Sequence, residues 1–187
     1  MPNIRLQNTL ENKIKELSEA ENLTKSVAFT RLMLEEVYDL DEFEIDSALT
    51  DGINDKGIDA IFNKIDENDA NVLYVIQSKC FENKTKKLDE AAKNLIVATV
   101  RSYFLNDYPL DGLNEKLQKI INSDRELLKN GKIDKIGIIF FTNGQRPSPA
   151  IYEDLERFGE ENPTIFSEIF CEEDLTSIFL PVSAARI

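Results

Sequence analysis

The segment 133–142 constrains the fold more than any other. Ile136, Ile138, Ile139, Phe140 and Phe141 run almost without a polar break. A strand with one wet face would alternate apolar and polar residues, whereas a near-continuous apolar run marks a central strand buried on both faces. Such a strand needs a covering layer on each side, and the rest of the chain supplies candidates. Leu6, Leu10, Ile14 and Leu17 recur at helical spacing. Thr24 or Ser26 caps a second helix carrying Val27, Phe29, Leu32, Met33, Leu34 and Val37. An acidic stretch, 39–46, leads into the loop Asp51, Gly52, Ile53, Asn54, Asp55, Lys56, Gly57, whose residue types tolerate the backbone angles of tight turns.

Strands are expected over 58–62 and 72–79, joined by a polar turn into an antiparallel hairpin, with room for one more strand before it. A long helix follows over 86–105, and another carries Leu113, Leu117, Ile120, Ile121, Leu127 and Leu128 up to Asn130 and Gly131. Beyond the central strand, Ser148 and Pro149 open a helix, 164–170 is a strand, and 174–180 a short helix. This order predicts an α/β sandwich with a mixed sheet. The 187 residues suit one domain, divided here into an N-terminal helical extension, 1–23, and a core, 24–180. Whether the chain is the N-terminal part of a longer protein stays open.

Composition removes several chemistries. The absence of histidine excludes Ser-His-Asp and Cys-His hydrolases and imidazole-based zinc sites. Cys80 and Cys171 are too few for an all-cysteine zinc site and are expected as buried or half-buried thiols. No segment approaches the roughly 20 apolar residues that span a bilayer, so no membrane partner is expected, and a cytoplasmic location is the default. The net charge of −13 argues against a general nucleic-acid coat but not against a nucleic-acid enzyme. Its distribution is uneven. Residues 35–69 hold thirteen acids against two bases, and 79–101 hold six bases against three acids. An acidic block followed by a basic one is either a metal site beside a phosphate-binding face or two solvated surfaces.

The residues that can carry chemistry lie on the hairpin. Gln77 and Lys79 are two apart, so a strand points both to one face. A register that brings Asp59 opposite that face gathers three polar groups at one end of the sheet. A carboxylate and an amide carbonyl are hard oxygen donors suited to Mg²⁺ or Mn²⁺. A lysine beside them orients a water and balances developing negative charge, which completes the parts for metal-assisted phosphodiester hydrolysis. The competing reading, in which Gln77 and Lys79 face solvent at a strand end, carries equal weight on spacing alone. Asp51 and Asp55 fit turn hydrogen bonding, with support of the metal ligands as the functional alternative; an EF-hand register fails because it puts Asn63 at the twelfth position. Lys84, Lys86, Lys87, Lys93 and Arg101 form a basic helical face able to hold DNA phosphates, or simply a solvated one. Asn143 and Arg146, just past the central strand, are secondary candidates because ligands gather at carboxyl ends of such strands.

Gly57-Ile58-Asp59-Ala60 followed by Val75-Ile76-Gln77-Ser78-Lys79, with the glycine- and aspartate-rich lead-in, resembles the PD-(D/E)XK nuclease superfamily. More narrowly it resembles the N-terminal nuclease-like domain of AIPR (abortive infection phage resistance) proteins, with Mrr-type restriction endonucleases as cousins. The resemblance covers 27–170. It implies a restriction-endonuclease-like three-layer sandwich with a central mixed sheet, built in the order helix, three-stranded meander, helix, strand. It also implies a Mg²⁺- or Mn²⁺-dependent DNA endonuclease serving anti-phage defence or restriction. Asp59 then corresponds to the metal-binding aspartate, Gln77 to the Glu/Gln position of the motif and Lys79 to its lysine. A glutamate from the upstream helix, Glu36 in preference to Glu35, completes such sites. Gln77 departs from the acidic pattern, and an amide oxygen is the weaker ligand. The rival reading is a catalytically silent nucleic-acid-binding or regulatory module on the same fold; a homo-oligomer formed through the amphipathic helix at 6–17 is a third.

Overall fold

A computed structural model describes residues 1–50 and 54–180. Asp51, Gly52 and Ile53 of the expected loop and the tail 181–187 lie outside the described residues. Among the described residues, seven α-helices, α1 (Ile4–Glu21), α2 (Lys25–Tyr38), α3 (Glu42–Ala48), α4 (Glu90–Val100), α5 (Glu115–Lys129), α6 (Pro149–Glu161) and α7 (Glu172–Phe179), accompany one mixed sheet. Its strands are β1 (Ala60–Ile65), β2 (Asn71–Lys79), β3 (Lys135–Thr142) and β4 (Ile165–Phe170), in the spatial order β1-β2-β3-β4. β1 and β2 form an antiparallel hairpin, while β3 runs parallel to both β2 and β4.

The burial of each strand follows its place in that order. β2 and β3 are inner strands, and every residue of β2 between its two ends is buried, as are all residues of β3 after Lys135. β1 and β4 are edges and turn part of each length to solvent. The near-continuous apolar run at 133–142 thus becomes a strand covered on both sides. Leu73, Val75, Ile136, Ile138 and Phe140 join one core cluster with Ile96, Val100, Leu117 and Leu155, from α4, α5 and α6. Val72, Tyr74, Ile76, Ile139 and Phe141 join a second cluster with Leu6, Leu10, Phe29 and Leu175, from α1, α2 and α7. The stretch read as an N-terminal extension therefore packs its apolar stripe into the core, where Leu6, Leu10 and Ile14 are all buried.

Local chemistry sets the helix limits. The Thr24 hydroxyl, not Ser26, accepts from the Val27 amide and opens α2. The acidic stretch folds as α3 under a capping box: Asp41 accepts from the Glu44 amide at 2.8 Å and Glu44 accepts from the Asp41 amide at 2.9 Å. The extra strand expected before the hairpin is reduced to one bridge, Leu49 to Ala60. The helix expected from 86 begins at Glu90, because the Asp89 side chain caps it at the Ala92 amide. Residues just before the cap instead join the sheet end, with the Gln145 amide donating to the Lys86 carbonyl at 2.9 Å. α4 continues as a π-helical turn, Arg101–Leu105. Cys80 is half-buried and Cys171 buried, both as free thiols. Among the described residues no helix is long and apolar enough to cross a membrane.

Candidate active site

β2 runs toward the edge where β1 begins, so its carboxyl end and the residue before β1 meet. The Asp59 amide donates to the Ile76 carbonyl at 2.8 Å, and the Asp59 carbonyl accepts from the Thr50 amide at 3.1 Å. The Asp59 carboxylate accepts from the Ser78 amide at 2.7 Å, taking the place a β1 carbonyl would fill one step further along the ladder. The carboxylate is thereby fixed at the backbone of the residue between Gln77 and Lys79. Both of those side chains share the face that carries Leu73 and Val75, because strand residues alternate. The chain therefore brings Asp59, Gln77 and Lys79 to one end of the hairpin.

Gln77 is 1 % exposed, and among the described residues neither its carbonyl oxygen nor its amide nitrogen has a hydrogen-bond partner. Burying an amide with no partner costs about 1–3 kcal/mol on mutational scales. A fold with no further use for this position gains by placing a leucine there. Gly57 roofs the amide. It has φ of +81°, and a Cβ added to it would lie 2.7 Å from Gln77 Nε2 and 2.8 Å from Leu95 Cδ2. Both the backbone angle and the close approach call for glycine. The Thr99 hydroxyl of α4 is 2.9 Å from the Lys56 carbonyl, which ties this turn to the helix that covers it. Asp55 closes the turn, accepting from the Gly57 amide at 2.9 Å, so its described role is the turn bond. Asp51 lies outside the described residues. Lys79 is half-buried and has no ion-pair partner within 4 Å among the described residues.

The other expected residues divide. Glu36 is exposed on α2 and pairs with Lys13 of α1 at 3.2 Å; its neighbour Glu35 is also exposed. α2 covers the second core cluster, on the other face of the sheet from Gln77. Lys93 is buried and bonded to Asp154 of α6, whose carboxyl that bond holds below its ordinary range. Helical spacing carried this signal, since Lys93 stands three residues before Ile96 and seven before Val100, both fully buried. Lys84 pairs with Glu11 at 3.3 Å and donates to the Phe81 carbonyl. Lys86, Lys87 and Arg101 stay exposed, with Lys86 near the Phe81 ring and Arg101 over Phe158. Asn143 is 1 % exposed and clamps the chain reversal after β2: it accepts from the Phe81 amide at 2.7 Å and donates to the Phe81 carbonyl at 3.0 Å. Arg146 is exposed and 3.6 Å from Glu173. A cleft of about 560 Å³ at the carboxyl ends of β3 and β4 brings Lys87, Gln145 and Arg146 together.

Two features escaped the sequence reading. The second is a buried carboxyl: Asp124 of α5 accepts from Asn63 of β1 at 2.9 Å, its other oxygen has no partner among the described residues, and burial pushes its pKa up to about 6. The first is the glycine roof over Gln77, which no local pattern announces. Among the described residues no three or more His, Cys, Asp or Glu gather into a metal-binding cluster; an oxygen site here would have to draw on Asp59 and the Gln77 amide. Compared with family models, with curated proteins and with solved structures, the chain matches none.

Proposed function

We propose that this chain is a metal-dependent nuclease of the PD-(D/E)XK type, hydrolysing DNA phosphodiester bonds, and that its layered sheet is the restriction-endonuclease-like sandwich. The observation that carries the reading is Gln77: a buried amide with both polar atoms unpartnered among the described residues, on the same strand end as a carboxylate anchored at the next residue's amide. That donor set fits a small divalent cation, Mg²⁺ or Mn²⁺, which takes hard oxygen ligands. Asp59 and Gln77 would hold it. When bound, the ion supplies Lewis-acid polarisation of a phosphate oxygen and charge neutralisation. Lys79, on the same face, orients the attacking water and balances charge that grows on the phosphate. Lys86, Lys87 and Arg101 are the exposed cations left to meet phosphates of the substrate backbone. The biological setting that suits such an enzyme is phage defence or restriction.

A second reading, a silent nucleic-acid-binding or regulatory module, draws on the enclosure of the Gln77 amide beneath Gly57 and Leu95. Plasmid digestion with and without Mg²⁺ separates the two. The wild-type chain is expected to cut only with metal. Asp59→Ala and Lys79→Ala are each expected to lower the rate by about a hundredfold or more, in line with the loss of a group that stabilises transition-state charge, with unchanged circular dichroism. Cleavage persisting in both purified variants overturns the assignment. Absence of Mn²⁺-binding heat in the wild type favours the silent module.

A further inference from the structure

A groove of about 500 Å³ lies on the opposite face of the sheet from Gln77, between α2, the β1–β2 turn and β4. Its size is that of small-ligand pockets, roughly 300–1,000 Å³. Tyr38, Tyr74, Phe166 and Phe170 contribute its aromatic walls. The Tyr38 and Tyr74 rings are 4.7 Å apart, and Tyr74 meets Phe166 nearly edge-on, at 88° and 6.3 Å. Phe166 is seated against Gly137, where a Cβ would come within 2.7 Å of the ring, so the wall is fixed by packing.

The polar groups of the groove point to one ligand charge. Three carboxylates (Asp66, Glu67, Glu168) face it against two ammonium groups, Lys64 and Lys135. Both ammonium groups are engaged: Lys64 donates to the Tyr38 carbonyl and Lys135 stands 3.9 Å from Asp66. Among the described residues no cation lies within 4 Å of Glu168, and none stands over the four rings. The Tyr38 hydroxyl is buried without a partner among the described residues, and the field of Glu168, after burial, pushes that phenol up. An unpaired carboxylate beside aromatic walls attracts a cation that sheds water easily. A primary ammonium or a metal ion would lose hydrogen bonds or hydration that these rings do not replace. A methylated nitrogen loses little and gains the ring quadrupoles.

We propose that this groove binds a small organic cation whose charge sits on a methylated or otherwise alkylated nitrogen, with Glu168 as the counter-charge and the Tyr38, Tyr74, Phe166 and Phe170 rings as its walls. The site is separate from Asp59 and does not depend on the nuclease reading.

The test is a calorimetric and chemical-shift titration of the full chain with choline, and with its neutral isostere, in which a quaternary carbon replaces the nitrogen. Choline is expected to bind saturably, and the isostere about tenfold more weakly or not at all, the discrimination expected when a cation–π contact is removed. Glu168→Gln, an exposed position whose variant should melt as the wild type does, is expected to weaken choline at least about fivefold and leave the isostere unchanged. Asp59→Ala is expected to bind choline as the wild type does. Failure of choline to saturate, equal affinity for the isostere, or full choline affinity in Glu168→Gln overturns the proposal, and none of these results bears on cleavage.

Discussion

The two ends of β2 treat their polar residues in opposite ways. At the amino end, Asn71 is bonded through its amide, its side-chain nitrogen and its carbonyl: the amide donates to the Asp134 carboxylate at 2.7 Å, the side chain donates to the Lys132 carbonyl at 2.5 Å, and the carbonyl accepts from the Asp134 amide at 2.8 Å. At the carboxyl end, Gln77 and Ser78 are buried with side-chain atoms that have no partner among the described residues, and Lys79 follows with no described counter-ion. A strand selected for stability alone would resemble its amino end throughout, since satisfied polar groups are close to neutral and orphaned ones are costly. A cation held at the carboxyl end, as proposed above, would account for this contrast.

The sharpest way to break this contrast is Gln77→Leu. It is expected to abolish the heat of Mn²⁺ binding and, without metal, to raise stability by about 2 kcal/mol, because an unpartnered amide is replaced by an apolar side chain of similar size. Urea unfolding of the metal-free variant checks it; a clear loss of stability would mean that the amide has a partner in solution.

Asp124 supplies an intermediate case, half satisfied by Asn63. Its carboxyl keeps a proton up to about pH 6 in the folded chain, against an ordinary value of 3.8. Between those values the folded state binds more protons than the unfolded one. The contribution is therefore fully present below about pH 4, falls as pH rises toward 6 and is flat above. Asp124→Asn removes this slope. Relative to wild type it is expected to gain about 2 kcal/mol at pH 7 over its value at pH 4; parallel stability curves for the two proteins across that range would rule the effect out.

The smallest expected effect is at the satisfied end. Asn71→Ala loses the bond to the Lys132 carbonyl and is expected to cost about 1 kcal/mol, read as a lower urea midpoint with unchanged slope and unchanged Mn²⁺ affinity. A gain in stability there would erase the difference between the two ends.

The acidic and basic blocks show where charge patterning stops being informative. In the acidic block, Asp41 and Glu44 cap α3, and Asp46 pairs with the buried Arg31 at 2.5 Å. In the basic block, Lys84 and Lys93 are held by acids from α1 and α6, more than sixty residues away in sequence. A count of charges along the chain does not register partners that arrive through the fold.

Periodicity alone fixed the inner strands, most helices and the hairpin, because apolar spacing is a local property that the core must obey. It also put Gln77 and Lys79 on one face, since alternation in a strand leaves no choice. What only the tertiary structure decided is which polar groups find partners: the Asp59 carboxylate on the Ser78 amide, the glycine roof over an orphaned amide, Lys93 turned inward to Asp154, and the aromatic groove with its unpaired Glu168. Hydrogen bonds and ion pairs reach only a few ångströms, so they depend on which distant segments meet, and that is set by packing the layers rather than by any one stretch of residues.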